Sequence, residues 1–458
     1  MILKLQPNMP PREETGLLAK EQSSYLEYKS RPSDFEDIGD ITLTLSSSSP
    51  FQRRLHRLLR NVAIIISSSL VVVSLRHILQ RTEIQSGILV PSGPYRLVEV
   101  HEGSTFFDYY DFYEGPDSLG SAGYNVYVSK EDAEHSRIVD VIRDDSGEEL
   151  VYMSSAATKD GPRNSIRLEG KRRFERGLFL LDVRHMPNGP GVWPAFWLTD
   201  EAAWPRNGEV DILEGVNGMT TVKTALHTSN ECDMYAHVAS YDMTGDWEWI
   251  TGIPDTFTGQ PNFKIVKPAD NCWVMAQHQW ANEGCTAVHN RNNTIGGPVN
   301  DAGGGVYALE WDPQNHYIKS WVFSPREDMP HNLIQAIETA GLTDVSKRVI
   351  PDPRSWRLPY AYFAIGETTG CSADHFKNMR IVFNLAFCGN VAGNRFTTEC
   401  PTEAKQFNVS NDPVKTCEAY IASDPKALKE EAFWKIRGVY VYERELEKKT
   451  MMGEDSQQ

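Results

Sequence analysis

The strongest constraint on this chain is a rhythm of turns. From about residue 95 to residue 446, glycine or proline recurs roughly every 8–15 residues, and the segments between are short. Stretches 124–128, 178–183, 209–213, 221–227, 306–311, 317–323, 380–387 and 438–442 are rich in β-branched, aromatic and alternating apolar residues. Many short strands between turn signals predict an all-β antiparallel sandwich or barrel. Only 332–339 and 425–433 read as short helices, and no repeat of 20–50 residues stands out.

What surrounds this body differs from it. Residues 1–60 mix Ser, Pro and charge with little periodicity and read as a disordered cytosolic tail. An uncharged apolar run from Val62 to Leu75 follows a flank carrying Arg53, Arg54, Arg57 and Arg60. Taken as 61–79, it predicts a short transmembrane helix, a single-pass type II signal anchor with the bulk of the chain extracellular or lumenal. Two other readings are a signal sequence that is cleaved, leaving a secreted protein, and a buried strand pair. Residues 80–94 then form a linker, 95–446 the domain, and 447–458 a disordered tail.

Charge narrows the partners. The chain carries a net −16, with 46 Lys plus Arg against 62 Asp plus Glu. The first 60 residues hold nine basic and eight acidic side chains and sum to +1, so the remainder carries −17. That balance disfavours nucleic acid and acidic polymers, and fits a neutral partner. All seven cysteines lie between Cys232 and Cys417 without a C-x-x-C pair, which argues against a zinc ribbon and for disulfides outside the cytosol. Seven allows at most three intrachain bridges and leaves one thiol over. Two N-glycosylation sequons, at Asn292 and Asn408, lie on the same presumed side of the membrane.

The chemistry is concentrated around Glu209-Val210-Asp211-Ile212-Leu213-Glu214. An E-x-D-x-x-E pattern alone is weak, arising by chance with a probability of order 0.1 in such a chain. Strand geometry makes it stronger. Strict alternation would send Glu214 to the same face as Val210 and Ile212, where an unpaired carboxylate is costly. A one-residue bulge between Asp211 and Glu214 removes the conflict and puts three acids on one face. Two glutamates flanking a third acid supply what retaining glycoside hydrolysis needs, a nucleophile and an acid/base. That chemistry wants carboxyls about 5–5.5 Å apart, whereas four strand steps span about 13 Å, so the strand is expected to be concave. Trp193, Trp197 and Trp204 come just before the acids and offer flat platforms for sugar faces.

The segments Gly-Val-Trp193-Pro-Ala-Phe-Trp197-Leu, Trp204-Pro, Gly-Glu209-Val-Asp211-Ile-Leu-Glu214-Gly and Leu-His227-Thr, in that order, resemble glycoside hydrolase family 16. The likeness is to the bulge-containing, fungal-type endo-1,3(4)-β-glucanases, or laminarinases. Phe387-Cys388-Gly389, Cys417-Glu-Ala-Tyr and Ala432-Phe-Trp434 extend it over residues 95–445. The resemblance implies a β-jelly-roll sandwich, concanavalin A-like, with a concave glycan cleft. By motif position it makes Glu209 the nucleophile, Glu214 the acid/base and Asp211 the assisting acid. It places His227 near the acid/base, Trp193, Trp197 and Trp204 along the cleft, and Arg167 against sugar or a catalytic acid. It implies a monomer acting on β-glucan polysaccharide, no required cofactor and no catalytic metal. Some members hold structural calcium on the convex face, so the resemblance leaves room for such an ion, which this sequence does not place. Two departures concern substrate preference: the bulky segment 272–280, and Gly389-Asn390-Val391 where Gly-Asp-Trp is usual. The competing readings are a glucan transglycosylase with the same residues and a non-catalytic glucan-binding protein of the same fold.

Overall fold

The structure, a computed structural model, describes residues 93–117, 120–159, 161–249 and 268–444. The expected tail, anchor and C-terminal segment, and nearly all of the linker, lie outside these. Among the described residues no helix is long and apolar enough to cross a membrane.

Two eight-stranded sheets dominate. The first holds β2 (Tyr110–Phe112), β8 (Arg167–Gly170), β10 (Val192–Thr199), β11 (Glu209–Glu214), β12 (Lys223–His227), β13 (Asp246–Trp247), β14 (Cys285–Val288) and β18 (Arg380–Phe387). Its spatial order is β13-β14-β12-β11-β10-β18-β8-β2. The second holds β1 (Tyr95–His101), β5 (Val139–Arg143), β6 (Glu149–Met153), β9 (Gly177–His185), β15 (Gly305–Asp312), β16 (Tyr317–Phe323), β17 (Ala361–Ala364) and β19 (Trp434–Arg444). Its order is β17-β16-β15-β9-β19-β6-β5, with β1 also on β19, so the first and last strands of the domain pair. Three short strands, β3 (Gly115–Pro116), β4 (Asn125–Tyr127) and β7 (Arg163–Ser165), form a third sheet.

Alternation explains the layers. Phe179, Leu181 and Val183 of β9 meet Phe196 and Leu198 of β10, Val210, Ile212 and Leu213 of β11, and Phe383 and Leu385 of β18 in the central core. The other face of β9, Leu178 and Leu180, is buried beneath the helix His331–Ala340 through Leu333, Ala336 and Ile337. A strand covered on both sides reads as an unbroken apolar run, as Leu178–Leu181 does. The second face of the first sheet is covered near Trp193 and Ala386 by Val391 and Ala392, and elsewhere carries polar side chains, Glu209 and Asp211 among them.

All eight stretches expected to be extended fall on strands, and both expected helices are present. The expectation of only two helices is corrected. Helices Lys130–His135, Gly297–Asp301, Asn394–Glu399, Pro401–Phe407 and Pro413–Ala422 also occur. Most are too short to show a 3.6-residue period, and pieces of that length owe their stability to tertiary packing. The last three sit beside the bridge Cys388–Cys417. Cys232–Cys371 and Cys272–Cys285 complete three disulfides, and Cys400 is the remaining, buried thiol.

Candidate active site

The site is made by one irregularity in β11. Against β12, Asp211 pairs with Ala225 and Glu214 with Lys223, three positions on one strand for two on the other. Against β10 the shift falls between Phe196 and Trp197. This is the expected bulge. It turns both Ile212 and Leu213 into the core, 1% and 0% exposed, and delivers Glu209, Asp211 and Glu214 to the cleft. Gly208 sets the approach: its φ is +79°, and a Cβ there would stand 2.4 Å from the His375 carbonyl oxygen.

Each outer acid is held by an indole. Trp193 Nε1 donates to Glu214 Oε1 at 2.8 Å, and Trp204 Nε1 donates to Glu209 Oε2 at 2.5 Å. Trp204 is 42% exposed and can serve as a sugar platform, whereas Trp193 is 8% exposed, so what it presents to the site is its N–H, not an open ring face. Trp197 donates to Asn384 Oδ1 at 2.7 Å, and the Arg167 guanidinium lies 5.2 Å from the Trp197 ring centroid and 5.2 Å from that of Tyr113. Arg167 also pairs with Glu169 at 3.0 Å. It sits on β8, separated from β11 by β10 and β18, and is brought to Trp197, not to the carboxyls.

His227 stands across from Glu209 in the register, with Nε2 3.0 Å from Asp211 Oδ2, near enough for an ion pair but without hydrogen-bond alignment. Gly284 backs it: φ is +67°, and a Cβ would meet His227 Nδ1 at 2.9 Å. The bulky segment 272–280 is closed by Cys272–Cys285, holds buried Gln279 and Trp280, and accepts the Thr228 N–H, next to His227, at the Cys272 carbonyl at 2.8 Å. Glu209, Asp211 and His227 each bring one polar atom within 4.8 Å of the others, a spacing that would also suit a cation.

Burial governs the electrostatics. Glu209 is pushed up to about 8 by desolvation and the Asp211 charge, with His227 and the Trp204 N–H pulling it back. Asp211 is driven well above the carboxylate range by burial and by Glu214, against a hydrogen bond it shares with Glu209. Glu214 is raised by burial, while the Trp193 N–H, His227 and Lys223 oppose the shift and Glu248 adds to it. Taken alone, a value near 8 would leave Glu209 protonated at neutral pH. A hydrogen bond between two carboxyls needs one of them protonated, and with that proton on Asp211 the negative charge rests on Glu209.

Beyond Glu214 the cleft is lined by Lys223, Thr286, Glu248, Asn282, Val391 and Arg395. Sequence reading missed Asn384, Lys223, Glu248 and Arg395. Asn384 carried a signal, a polar residue on the cleft-facing alternation of 380–387. Lys223 becomes visible only once the register pairs it with Glu214. Val391 lines the cleft where the related motif carries Trp.

The chain matches the family described as "XgeA-like, catalytic GH16 domain" over residues 110–442. It is 33% identical over 355 residues to a probable endo-1,3(4)-β-glucanase of Aspergillus clavatus, a match covering 77% of this chain and 47% of that relative. The chain spans about half the length of curated relatives of this kind. Among solved structures it is similar to an elongating GH family 16 β-1,3-glucosyltransferase, at 29% identity and a TM-score of 0.58, covering 76% of this chain and 100% of that one. It is also similar to GH16 laminarinase 16A from Phanerochaete chrysosporium, solved with β-glucans in donor and acceptor sites, at 27% identity and a TM-score of 0.56, covering 76% and 99%.

Proposed function

From the premise that this chain belongs to glycoside hydrolase family 16, we propose that it is an endo-acting β-glucanase that cuts 1,3- or mixed 1,3/1,4-β-glucosidic bonds with retention. The observation that carries the reading is the bulge that sets Glu209, Asp211 and Glu214 on one cleft face, with an indole N–H on each outer acid. Glu214 gives its proton to the leaving oxygen while the Glu209 carboxylate attacks the anomeric carbon. The glycosyl ester on Glu209 is then opened by a water that Glu214 deprotonates. Asp211 holds the shared proton beside Glu209, and Trp204 fixes the other oxygen of the nucleophile. Trp204, Trp197, Arg167 and Asn384 are read as the sugar-binding surface. Two carboxyls and water suffice, so no cofactor enters.

The assay offers laminarin, lichenan, cellulose and xylan to the full chain and follows reducing ends and the first product anomer. Cleavage of laminarin or lichenan with the β-anomer first is expected; α-anomer products, or no cleavage of any of the four, would overturn the reading. Glu209→Gln and Glu214→Gln should each lower kcat by at least about a thousandfold, each removing an essential group. A second reading, transfer of the glycosyl unit to another sugar, is favoured by the similarity to the elongating glucosyltransferase. Oligomers longer than the substrate at high laminarin oligosaccharide concentration would support it.

We also propose that residues 61–79 anchor the protein as a type II membrane protein, with secretion after cleavage as the alternative. The four-arginine flank, the three disulfides and the exposed sequon residues Asn292 and Asn408 support this topology. Alkaline carbonate extraction of cell membranes separates anchored from secreted protein. An endoglycosidase mobility shift tests the two sequons.

A further inference from the structure

Lys223 occupies an unexpected position. It opens β12 directly opposite Glu214, the last residue of β11, and directly opposed residues of an antiparallel pair share a face. A lysine beside the acid of the reaction favours the carboxylate, whereas the first chemical step needs the carboxyl. The structure shows where the ammonium goes instead. Lys223 Nζ is paired with Glu248, which enters from the segment after β13. Both side chains are about four-fifths buried, at 19% and 18% exposed. Glu248 is fixed from its own backbone: its N–H donates to the Thr286 carbonyl at 2.8 Å, and its carbonyl accepts from Ala269 N at 2.7 Å. Lys223, Glu248 and Glu214 line the same stretch of cleft.

The remaining charged groups facing Glu214 are accounted for. Glu209 and Asp211 come from its own strand, and His227 from β12. Glu283 approaches from the turn before β14. Arg395 comes from the helix Asn394–Glu399 and is held by Glu399 at 2.7 Å. Lys223 is the cation directly opposite Glu214 in the ladder, and its ammonium is paired with Glu248.

We propose that Lys223 and Glu248 form a positioning clamp for the acid/base: Glu248 holds the Lys223 ammonium off the Glu214 carboxyl, so that Glu214 keeps its proton until a leaving oxygen arrives. The inference rests on the reading of Glu214 as acid/base and adds two residues that act through it. Removing Glu248 frees Lys223 to pair with Glu214, and the acid loses its proton at lower pH. Removing Lys223 takes away the cation and moves the same ionisation the other way. Removing both cancels most of either effect.

The test is the pH profile of kcat/KM on laminarin for the full chain, whose basic limb reports the acid in the free enzyme. Glu248→Gln should move that limb down by about one pH unit, the size expected when an opposite charge comes within a few ångströms. Lys223→Met should move it up by a similar amount, and the double variant should return close to wild type. Lys223→Arg, which keeps the charge, should leave the limb in place. Either single substitution decides the sign, so the inference stays testable if one variant does not fold. Coincident limbs in all variants, or single substitutions that move the limb the same way, would overturn the clamp. Glu214→Gln separates the two layers. If it is inactive and the limbs coincide, the clamp alone fails. If it is as active as wild type, the assignment of Glu214 fails and the clamp with it.

Discussion

Glu209 is placed for chemistry at a cost to folding. Burial and Asp211 raise it from its ordinary 4.5 to about 8. A raised folded-state value means that the folded protein binds this proton more tightly than the unfolded chain does. The resulting stability is fully present below about pH 4.5 and is lost as pH rises through about 8. Glu209→Gln, which carries no charge at any pH, should therefore stabilise the fold more at pH 8 than at pH 5. The difference should be at least ~1 kcal/mol, less than one pKa unit of interaction. Urea unfolding at the two pH values measures it, and equal effects at both would contradict the argument. Trp204 gives a second test at this scale. Trp204→Phe keeps the ring but removes the N–H from Glu209. A hydrogen bond to a charged group contributes about 1.5–3 kcal/mol, so kcat/KM on laminarin should fall about 10- to 100-fold. An unchanged value would mean that the indole acts only as a platform.

At the scale of elements, β11 shows how a bulge keeps three acids on one face. The sequence showed the conflict at Glu214 plainly, because alternation and burial cost disagree there, and the bulge is where that conflict is resolved. Deleting Ile212 removes the extra residue and restores simple alternation, in which Glu209, Asp211 and Glu214 become every second residue and still share the cleft face. That variant should fold and keep laminarin cleavage within about a hundredfold of wild type, whereas deleting Ile212 and Leu213 together turns Glu214 to the core face, where a buried carboxylate should lower the thermal transition and abolish activity. Circular dichroism melts with a laminarin assay check both, and equal loss of activity in the two variants would count against this account of the faces. Other elements were less legible. β10 contains Pro194, a residue that argues against a central strand. The Pro194 carbonyl accepts from Gly215 N on the β11 side, just past the last ladder pair, Ala195–Glu214, so its missing N–H costs that ladder nothing. The helices between 394 and 422 depend on packing and on Cys388–Cys417, neither of which leaves a local period in the sequence.

At the scale of the molecule, the rhythm of turns revealed the sandwich, and the triple acid with its tryptophans revealed the centre of the cleft. The arm of the cleft beyond Glu214 was hidden, because Lys223, Glu248 and Arg395 come from three separate elements that only the completed fold brings together. The excess negative charge can be tested against the same picture. Residues after 60 carry −17, so any charged polymer entering the cleft would feel a strong, salt-sensitive field. A neutral glucan feels none. Between about 50 and 500 mM sodium chloride the screening length shrinks from roughly 14 to 4 Å, which removes most long-range interaction between exposed charges. For laminarin, kcat/KM should change by less than about twofold across that range, because approach is unsteered and the Lys223–Glu248 and Arg395–Glu399 pairs are largely buried. A carboxylated glucan of similar length should bind poorly at low salt and improve as salt rises. Steady-state kinetics on the two polymers at four salt concentrations distinguishes the cases. A laminarin rate that falls tenfold with salt would show that screened protein charges take part in binding or catalysis, against this argument.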